Sequence, residues 1–525
     1  MKTSRLPIGI QNLREIIEDK CAYVDKTPFI EALLSGGKYY FLSRPRRFGK
    51  SLFLDTLKEF FEGNEKLFKS LYIHDKWDWN KQYPVVKIDF AAGVLRNREE
   101  LDIHIFEILK ENQRRLGLEG EMSSISGGFK EVIRQAHEKY GKRVVILVDE
   151  YDKPILDNIE RPHVTAEMRD GVKNLYSVMK NQDSHIRFAF MTGVSKFSKV
   201  SLFSGINQLE DITLDSNFAT ICGYTHRDLE TIFVEHLAGV DMATLRRWYN
   251  GYSFLGEAVY NPYDILLFIS KNHTYRNYWF ETGSPSFLIK MFQKKRYFLP
   301  DLEDIEVNEE MLDSFDIDRI NPITLLFQSG YLTISDAYQA LGESVFRLKV
   351  PNHEVRVALS NQLIGGYTDI VEQRLKYKGS LFDTMKEGDL DGMIATIKRL
   401  FAAIPWRNFT KNKLPEAEGY YASVLYAFFA SLNATIIPED ISNHGQVDMT
   451  IKLEGYIYVI EIKLVKDEDS LGSTEENVAL KQIQQRGYSK KYQHQSPKGL
   501  IELGLVFSSV ERNLIQADWL ELECS

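Results

Sequence analysis

Cysteine is scarce in this chain. Cys21, Cys222 and Cys524 are spread over 525 residues, odd in number and without Cys-x-x-Cys spacing. That argues against a disulfide framework or a structural zinc site and makes a reducing cytoplasm the expected compartment. No run approaches ~18 uninterrupted apolar residues, so no membrane span is expected. The N-terminal stretch MKTSRLPIGIQNLREIIEDK has no apolar core flanked by a cleavage site, and a signal peptide is not expected. Excess positive charge is missing too: 65 Lys and Arg face 74 Asp and Glu, for a net charge of -9. A surface coated for non-specific DNA binding is excluded, and any nucleic-acid contact must use a local basic patch. Internal repeats and low-complexity segments are absent.

What is present suffices for several cores. Hydrophobic residues make up 44% of the chain, with 31 Phe and 27 Tyr, which excludes wholesale disorder. The length exceeds what one core sustains, so about two to four domains are expected. Over the first 220 or so residues, strand-like runs alternate with helical patterns, as in an α/β domain with a mainly parallel sheet. The runs are Lys38–Ser43, Val85–Phe90, Arg143–Asp149 and Ile186–Thr192, each apolar on both faces. From about Tyr224 to Lys294 the pattern turns helical and aromatic. Ile323–Leu359 then reads as helix, two-stranded ribbon and helix, a winged-helix-like order that leaves open a transcription regulator. A second α/β unit begins near Thr384, with a helix over Glu418–Leu432, a strand pair over Gln446–Leu464, an acidic loop over Asp467–Glu476, a helix over Asn477–Tyr488 and a last strand over Leu503–Phe507.

The stretch SRPRRFGKSLF (Ser43–Phe53) ends like a phosphate-binding P-loop, yet Arg44 stands where the pattern wants its first glycine. A strand, this loop and a helix would aim free helix N-terminal N–H groups into the loop. Gly49 permits close backbone approach, Lys50 suits the β- and γ-phosphates, and Ser51 suits Mg²⁺. VVILVDEYD (Val144–Asp152) has the form of a Walker B strand: Asp149 for Mg²⁺ and Glu150 to polarise the attacking water. Its place one strand–helix–strand–helix interval later is the order such ATPases use. Thr192, closing the next strand, is the candidate γ-phosphate sensor, with Ser195 second. Arg47 is placed beside the phosphates; for Arg46 and Arg47 the alternative is an outward-facing contact with another domain or subunit. Arg246 and Arg247 are the candidates for an arginine finger.

In GQVDMTIKLEGYIYVIEIKLV (Gly445–Val465), Glu461 and Lys463 are two apart on one strand and share a face, while Ile462 points to the core. Asp448 on the neighbouring strand can join them. Two carboxylates beside a lysine suit a hard divalent cation and phosphodiester hydrolysis. Charges in so apolar a strand are costly without a function.

YVDKTPFI (Tyr23–Ile30), SRPRRFGKSLF, VDEYDKP (Val148–Pro154), TGVSKFS (Thr192–Ser198), WYNGYSF (Trp248–Phe254) and YNP (Tyr260–Pro262) together resemble the prokaryotic AAA-ATPase-like proteins with a C-terminal PD-(D/E)xK nuclease-like domain. In that family the arginine-bearing loop is the usual form. The resemblance implies an α/β fold: an N-terminal P-loop sheet of the extra-strand (ASCE) type over 1–222, a helical lid over 223–300, a middle helical, winged-helix-like region over 301–383 and the PD-(D/E)xK domain over 384–525. It implies Glu418 as a further acidic ligand, the alternative being a solvated helix start, and Gln482, Gln484 and Tyr488 as nucleic-acid contacts. The cofactors expected are ATP and Mg²⁺, with Mn²⁺ an alternative at the nuclease-like site. The partner expected is nucleic acid, DNA ahead of RNA, with no membrane and with a homo-oligomer left open. Two functions follow: an ATP-regulated nuclease, or a non-catalytic ATP-gated switch or scaffold.

Overall fold

The computed structural model describes residues 4–196, 202–203, 206, 208–278, 289–292, 297–303, 305–313, 321–405, 418–466 and 476–522. Cys524, residues 197–198 of the TGVSKFS motif and positions 467–475 of the acidic loop lie outside them. The chain forms two compact units, Met1–Trp279 with Val307–Phe346, and Phe280–Glu306 with Arg347–Ser525.

In the first unit, strands β1 (Tyr39–Ser43), β2 (Val85–Asp89), β3 (Val144–Asp149), β4 (Ile186–Gly193) and β5 (Leu209–Asp211) form a parallel sheet in the order β2–β3–β4–β1–β5. β4 separates the P-loop strand β1 from the acidic strand β3, which is the arrangement expected of the extra-strand class. Every residue of β1 and β3 is buried, because helices such as Arg98–Leu116 and Ile125–Tyr140 help cover the sheet and make an apolar run on both faces the stable sequence. The helix after the P-loop, Lys50–Phe61, is buried nearly all round. The N-terminal segment covers its outer side: Asp55 accepts the N–H of Leu13 at 2.8 Å and Glu59 pairs with Arg14 at 2.8 Å.

The expected helix and ribbon are present as Pro322–Ser329, β7 (Thr333–Ala340) and β8 (Glu343–Lys349), with β6 (Ile305–Asn308) completing a sheet in the order β6–β8–β7. Gly330 ends the helix at φ 88°, a left-handed cap that glycine adopts without strain.

The second unit holds a mixed sheet in the order β13–β12–β11–β10–β9, from β9 (Thr435–Ser442), β10 (Gly445–Leu453), β11 (Tyr456–Val465), β12 (Gly499–Ser508) and β13 (Asn513–Leu522). Only β11 and β12 run parallel. Glu454 and Gly455, both at positive φ, close the β10–β11 hairpin in a two-residue turn that matches strand twist. The helix Glu418–Ala430 is apolar around its whole circumference and almost wholly buried. The helix expected to reach Tyr488 stops at Arg486, because Gly487 at φ 60° turns the chain into a left-handed cap. Among the described residues no helix is long and apolar enough to cross a membrane.

Candidate functional site

The RPRRFGK loop leaves β1 at Ser43 and enters its helix through Gly49, at φ 96° and with no side-chain cap. A Cβ built on Gly49 would meet nothing within 4 Å, so the loop is an open cradle facing the uncapped first turn. The Lys50 ammonium is buried and donates to the carbonyls of Arg44 and Pro45, each at 3.0 Å. Burial lowers its pKa, and Asp149 works in the opposite direction. Burial raises the Asp149 carboxyl, against the Ser51 hydroxyl that bonds it and the charge of Lys50. Glu150 follows with φ 49°; burial, then Asp149, raise its pKa. Lys50, Ser51, Asp149 and Glu150 therefore share one neighbourhood. Their donors fit a triphosphate: a cation, a hydroxyl–carboxylate pair for a hard metal and a carboxylate of raised basicity.

The three arginines behave differently. Arg44 is 1% exposed, donates to the carbonyls of Ser43 (2.9 Å), Thr213 (2.8 Å) and Phe218 (3.2 Å), and lies 3.8 Å over the Phe254 ring. Burial pulls its pKa down to about 10. Arg47, at φ 68°, lies 3.8 Å over the Tyr263 ring, and Arg46 is exposed. Phe48 meets Tyr252 edge-on at 4.8 Å. Thr192 sits opposite Leu42 in the sheet and donates its hydroxyl to that residue's carbonyl at 2.9 Å. Beside Gly49 a pocket is lined by Tyr23, Val24, Phe48, Cys222, Tyr224 and Pro262.

In the second unit the decisive feature is where strand pairing stops. β10 and β11 pair from Leu453↔Tyr456 to Met449↔Ile460 and no further. Beyond that point, side chains take the N–H groups a continuing strand would have bonded. Asp448 accepts from Ile462 at 2.6 Å, and Glu418 from Leu464 at 2.9 Å. Glu461, 2% exposed, accepts from the backbone N–H of Asp448 at 3.4 Å, from Lys463 at 2.7 Å and from the amide of Gln482. Burial and the neighbouring Glu461 push the Asp448 carboxyl up to about 7. Burial raises Glu461 too, against the pull of Lys463. Burial works against the Lys463 charge, and Glu461 more than offsets it, raising that pKa.

Asp448, Glu461, Lys463, Glu418 and Gln482 thus come together. Gln484 is exposed, and Tyr488 lies in a core cluster with Val447, Val459 and Ile483. Among the described residues no three Asp, Glu, His or Cys side chains form a ready metal cage. A pair of oxygen donors beside a lysine, Glu461 buried and Asp448 half-buried, still fits a hard cation that completes its shell with backbone oxygen, water or substrate phosphate.

A family model described as a predicted AAA-ATPase matches residues 7–203, and one for the PD-(D/E)XK nuclease superfamily matches residues 416–517. An Azotobacter chroococcum mcd 1 protein, named "Uncharacterized protein in vnfD 5'region", is 44% identical over 516 residues, 98% of each chain. The chain belongs to the AAA-ATPase-like family with a C-terminal PD-(D/E)xK nuclease-like domain. A chain from a structure of Drosophila ORC bound to AT-rich DNA and Cdc6 aligns over 67% of this chain and 94% of its own. At 11% identity and a TM-score of 0.21, that likeness carries no argument.

Two features of this AAA-ATPase-like protein escape motif reading. Asp152, the third acid of VDEYD, is 1% exposed and accepts from the Ser195 backbone (2.7 Å), the Ser195 hydroxyl (2.6 Å) and the Val194 backbone (3.3 Å). It clamps the turn after β4 against the acidic strand; its adjacency to Asp149 and Glu150 was the available signal. Gly504 on β12 stands opposite Glu461, where a Cβ would come 2.3 Å from the Leu480 backbone nitrogen. Only glycine lets the helix Val478–Arg486 approach closely enough for Gln482 to reach Glu461. A glycine inside an apolar strand was the signal there.

Proposed function

We propose that this protein binds and hydrolyses ATP in its first unit and cleaves phosphodiester bonds in DNA in its second, with ATP regulating the cleavage. The observation that carries the nuclease half is the pairing of half-buried Asp448 with buried Glu461, drawn together with Lys463 where the strands part. Two like charges held this close cost stability, and a divalent cation beside Lys463 would offset it further. Asp448 and Glu461 would hold Mg²⁺ or Mn²⁺, with Glu418 at its edge; the bound cation supplies Lewis acidity toward the scissile phosphate. Lys463 orients the attacking water and offsets charge developing on the phosphate. Gln482 fixes the rotamer of Glu461, and Gln484 is available to a nucleic-acid backbone.

For the ATPase half, Gly49, Lys50 and Ser51 cradle the phosphates, Asp149 and Ser51 hold the cation, and Glu150 takes the proton of the attacking water. Thr192 ties β4 to β1 at the phosphate end of the sheet. Arg47 joins the loop to Tyr263. The apolar pocket beside Gly49 suits a nucleobase. The test is cleavage of single-stranded, linear and circular DNA with Mg²⁺ or Mn²⁺, with and without ATP. Wild-type protein should cut, while Lys463→Ala should not and should remain folded. Wild type inert on every DNA and RNA form would sink the nuclease half. ATP bound by wild type but not turned over would favour an ATP-gated switch.

A further inference from the structure

In the second unit, the helix Arg374–Glu387 carries two cations that lack a counter-charge. Arg374 and Lys378 stand four apart, on one face of the helix. Both reach the same residue of the helix His353–Thr368. The Arg374 guanidinium donates to the Asn361 backbone carbonyl at 3.0 Å, and the Lys378 ammonium to the Asn361 side-chain oxygen at 3.3 Å. Each cation is half-buried, and neither pairs with a carboxylate among the described residues. From 373 to 382 the chain holds three cations and no acid, in a protein of net charge -9. Burial, then Arg374, pull the Lys378 ammonium down to about 8. Burial lowers Arg374 too, and that residue opens its helix, where the dipole disfavours a cation. Packing gives no reason to hold two like charges together away from water, since an apolar pair would join the helices at lower cost. An anion seated on them supplies the reason.

We propose that Arg374 and Lys378 form a phosphate grip that binds the backbone of a nucleic-acid strand outside the Asp448–Glu461–Lys463 cleavage site. The inference takes its ligand from the nucleic-acid reading above and rests on it. Asn361 uses one donor of each cation. A guanidinium has five and an ammonium three, so both keep donors for phosphate oxygens. The pair belongs to the helices that hold Glu418. Asn361 precedes Tyr367 by less than two turns of its helix, ~9 Å. The Tyr367 carbonyl accepts the Tyr420 hydroxyl at 3.0 Å, and Tyr420 is two residues from Glu418. On a chain with an acidic balance, a local pair of unopposed cations is how a backbone can be held. Such contacts position the strand and carry no base preference.

The experiment uses the full-length chain in its Lys463→Ala form, which should not cut, with Mg²⁺. Affinity for fluorescein-labelled DNA is read over a salt series for this parent and for Arg374→Gln, Lys378→Met, the two combined, and Lys376→Ala on it. Each of the first two should weaken binding about tenfold, alike for unrelated sequences, and together they should flatten the slope of log affinity against log salt by about two. Lys376→Ala, which removes an exposed charge from the same helix, should cost about twofold or less. Lys378→Met should melt no lower than its parent, because it removes a half-buried charge without a partner. With Lys463 intact, the double variant should cut at the wild-type kcat with a raised KM. Parent-like DNA binding by the double variant overturns the proposal. Inorganic phosphate that then stabilises the parent alone would assign the pair to a small phosphate ligand instead. A lower melting temperature for Lys378→Met also overturns it, since the cations would then only fasten two helices. A parent that binds neither DNA nor RNA overturns the nucleic-acid reading and this proposal together. Wild type that binds DNA through the pair yet never cuts overturns the nuclease reading alone.

Discussion

At Asp448 and Glu461 two carboxylates share a partly buried site, and the geometry that makes them useful also sets their charges against each other. Burial and Glu461 hold the folded-state pKa of Asp448 near 7, above its ordinary value. The folded protein therefore binds this proton more tightly than the unfolded chain does. The resulting stability is present below the ordinary carboxylate pKa and is lost as pH rises through about 7. Asp448→Asn removes the second charge and keeps an oxygen for the Ile462 N–H. In a chelator at pH 8 it should unfold at higher urea than wild type, by roughly 1–3 kcal/mol, and the gap should narrow as pH falls below 7 and close by about pH 4, the ordinary carboxylate value. Mg²⁺ should stabilise wild type and leave the variant unmoved. An equal gap at both pH values would refute the account. The residue identities at this site were legible from the D…E-x-K spacing. Their hydrogen bonds were not, because which N–H lacks a partner depends on where two strands part.

At the scale of elements, the helix Val478–Arg486 must lie close on β12 to bring Gln482 to Glu461. Asn477 fixes its start, accepting from Ala479 and Leu480 at 3.0 Å and donating to the Gly504 carbonyl at 3.1 Å. Gly504→Ala would place a methyl group 2.3 Å from the Leu480 nitrogen, a backbone atom that cannot turn aside. We expect a loss of about 1–3 kcal/mol and weaker cleavage. Gly379→Ala is the control: it lies in the helix Arg374–Glu387 with nothing within 4 Å of its Cβ and should be neutral or stabilising. Equal melting temperatures for the two variants would reject the close-approach argument. Helices and central strands were readable because their apolar periodicity is strong. β9 and β13 were not: both are edge strands, half exposed, and β9 carries Pro438, so neither has the pattern of a buried strand. The contacts proposed for Tyr488 assumed a helix that Gly487 ends two residues earlier.

At the scale of the molecule, each unit is assembled from two separate stretches of chain. In the second, Glu303 comes from Phe280–Glu306 and pairs with Arg356, while the Tyr426 hydroxyl donates to it at 2.8 Å. Arg356 and Glu303 are mostly shielded, with side chains 23% and 14% exposed. Glu303→Ala leaves that guanidinium without its carboxylate and should cost on the order of 2–3 kcal/mol. Limited proteolysis should show earlier cutting within 347–522, with the fragment pattern of the first unit unchanged; unchanged cutting in both would refute it. Taken alone, the sequence determined the P-loop sheet, the order of its acidic strand and the D…E-x-K set, because each is a local pattern of polarity and spacing. Tertiary structure decided the rest. It buried Arg44 under Phe254, laid Arg47 on Tyr263 and left Arg46 exposed, since the residues that separate three neighbouring arginines lie more than 150 positions away in the chain.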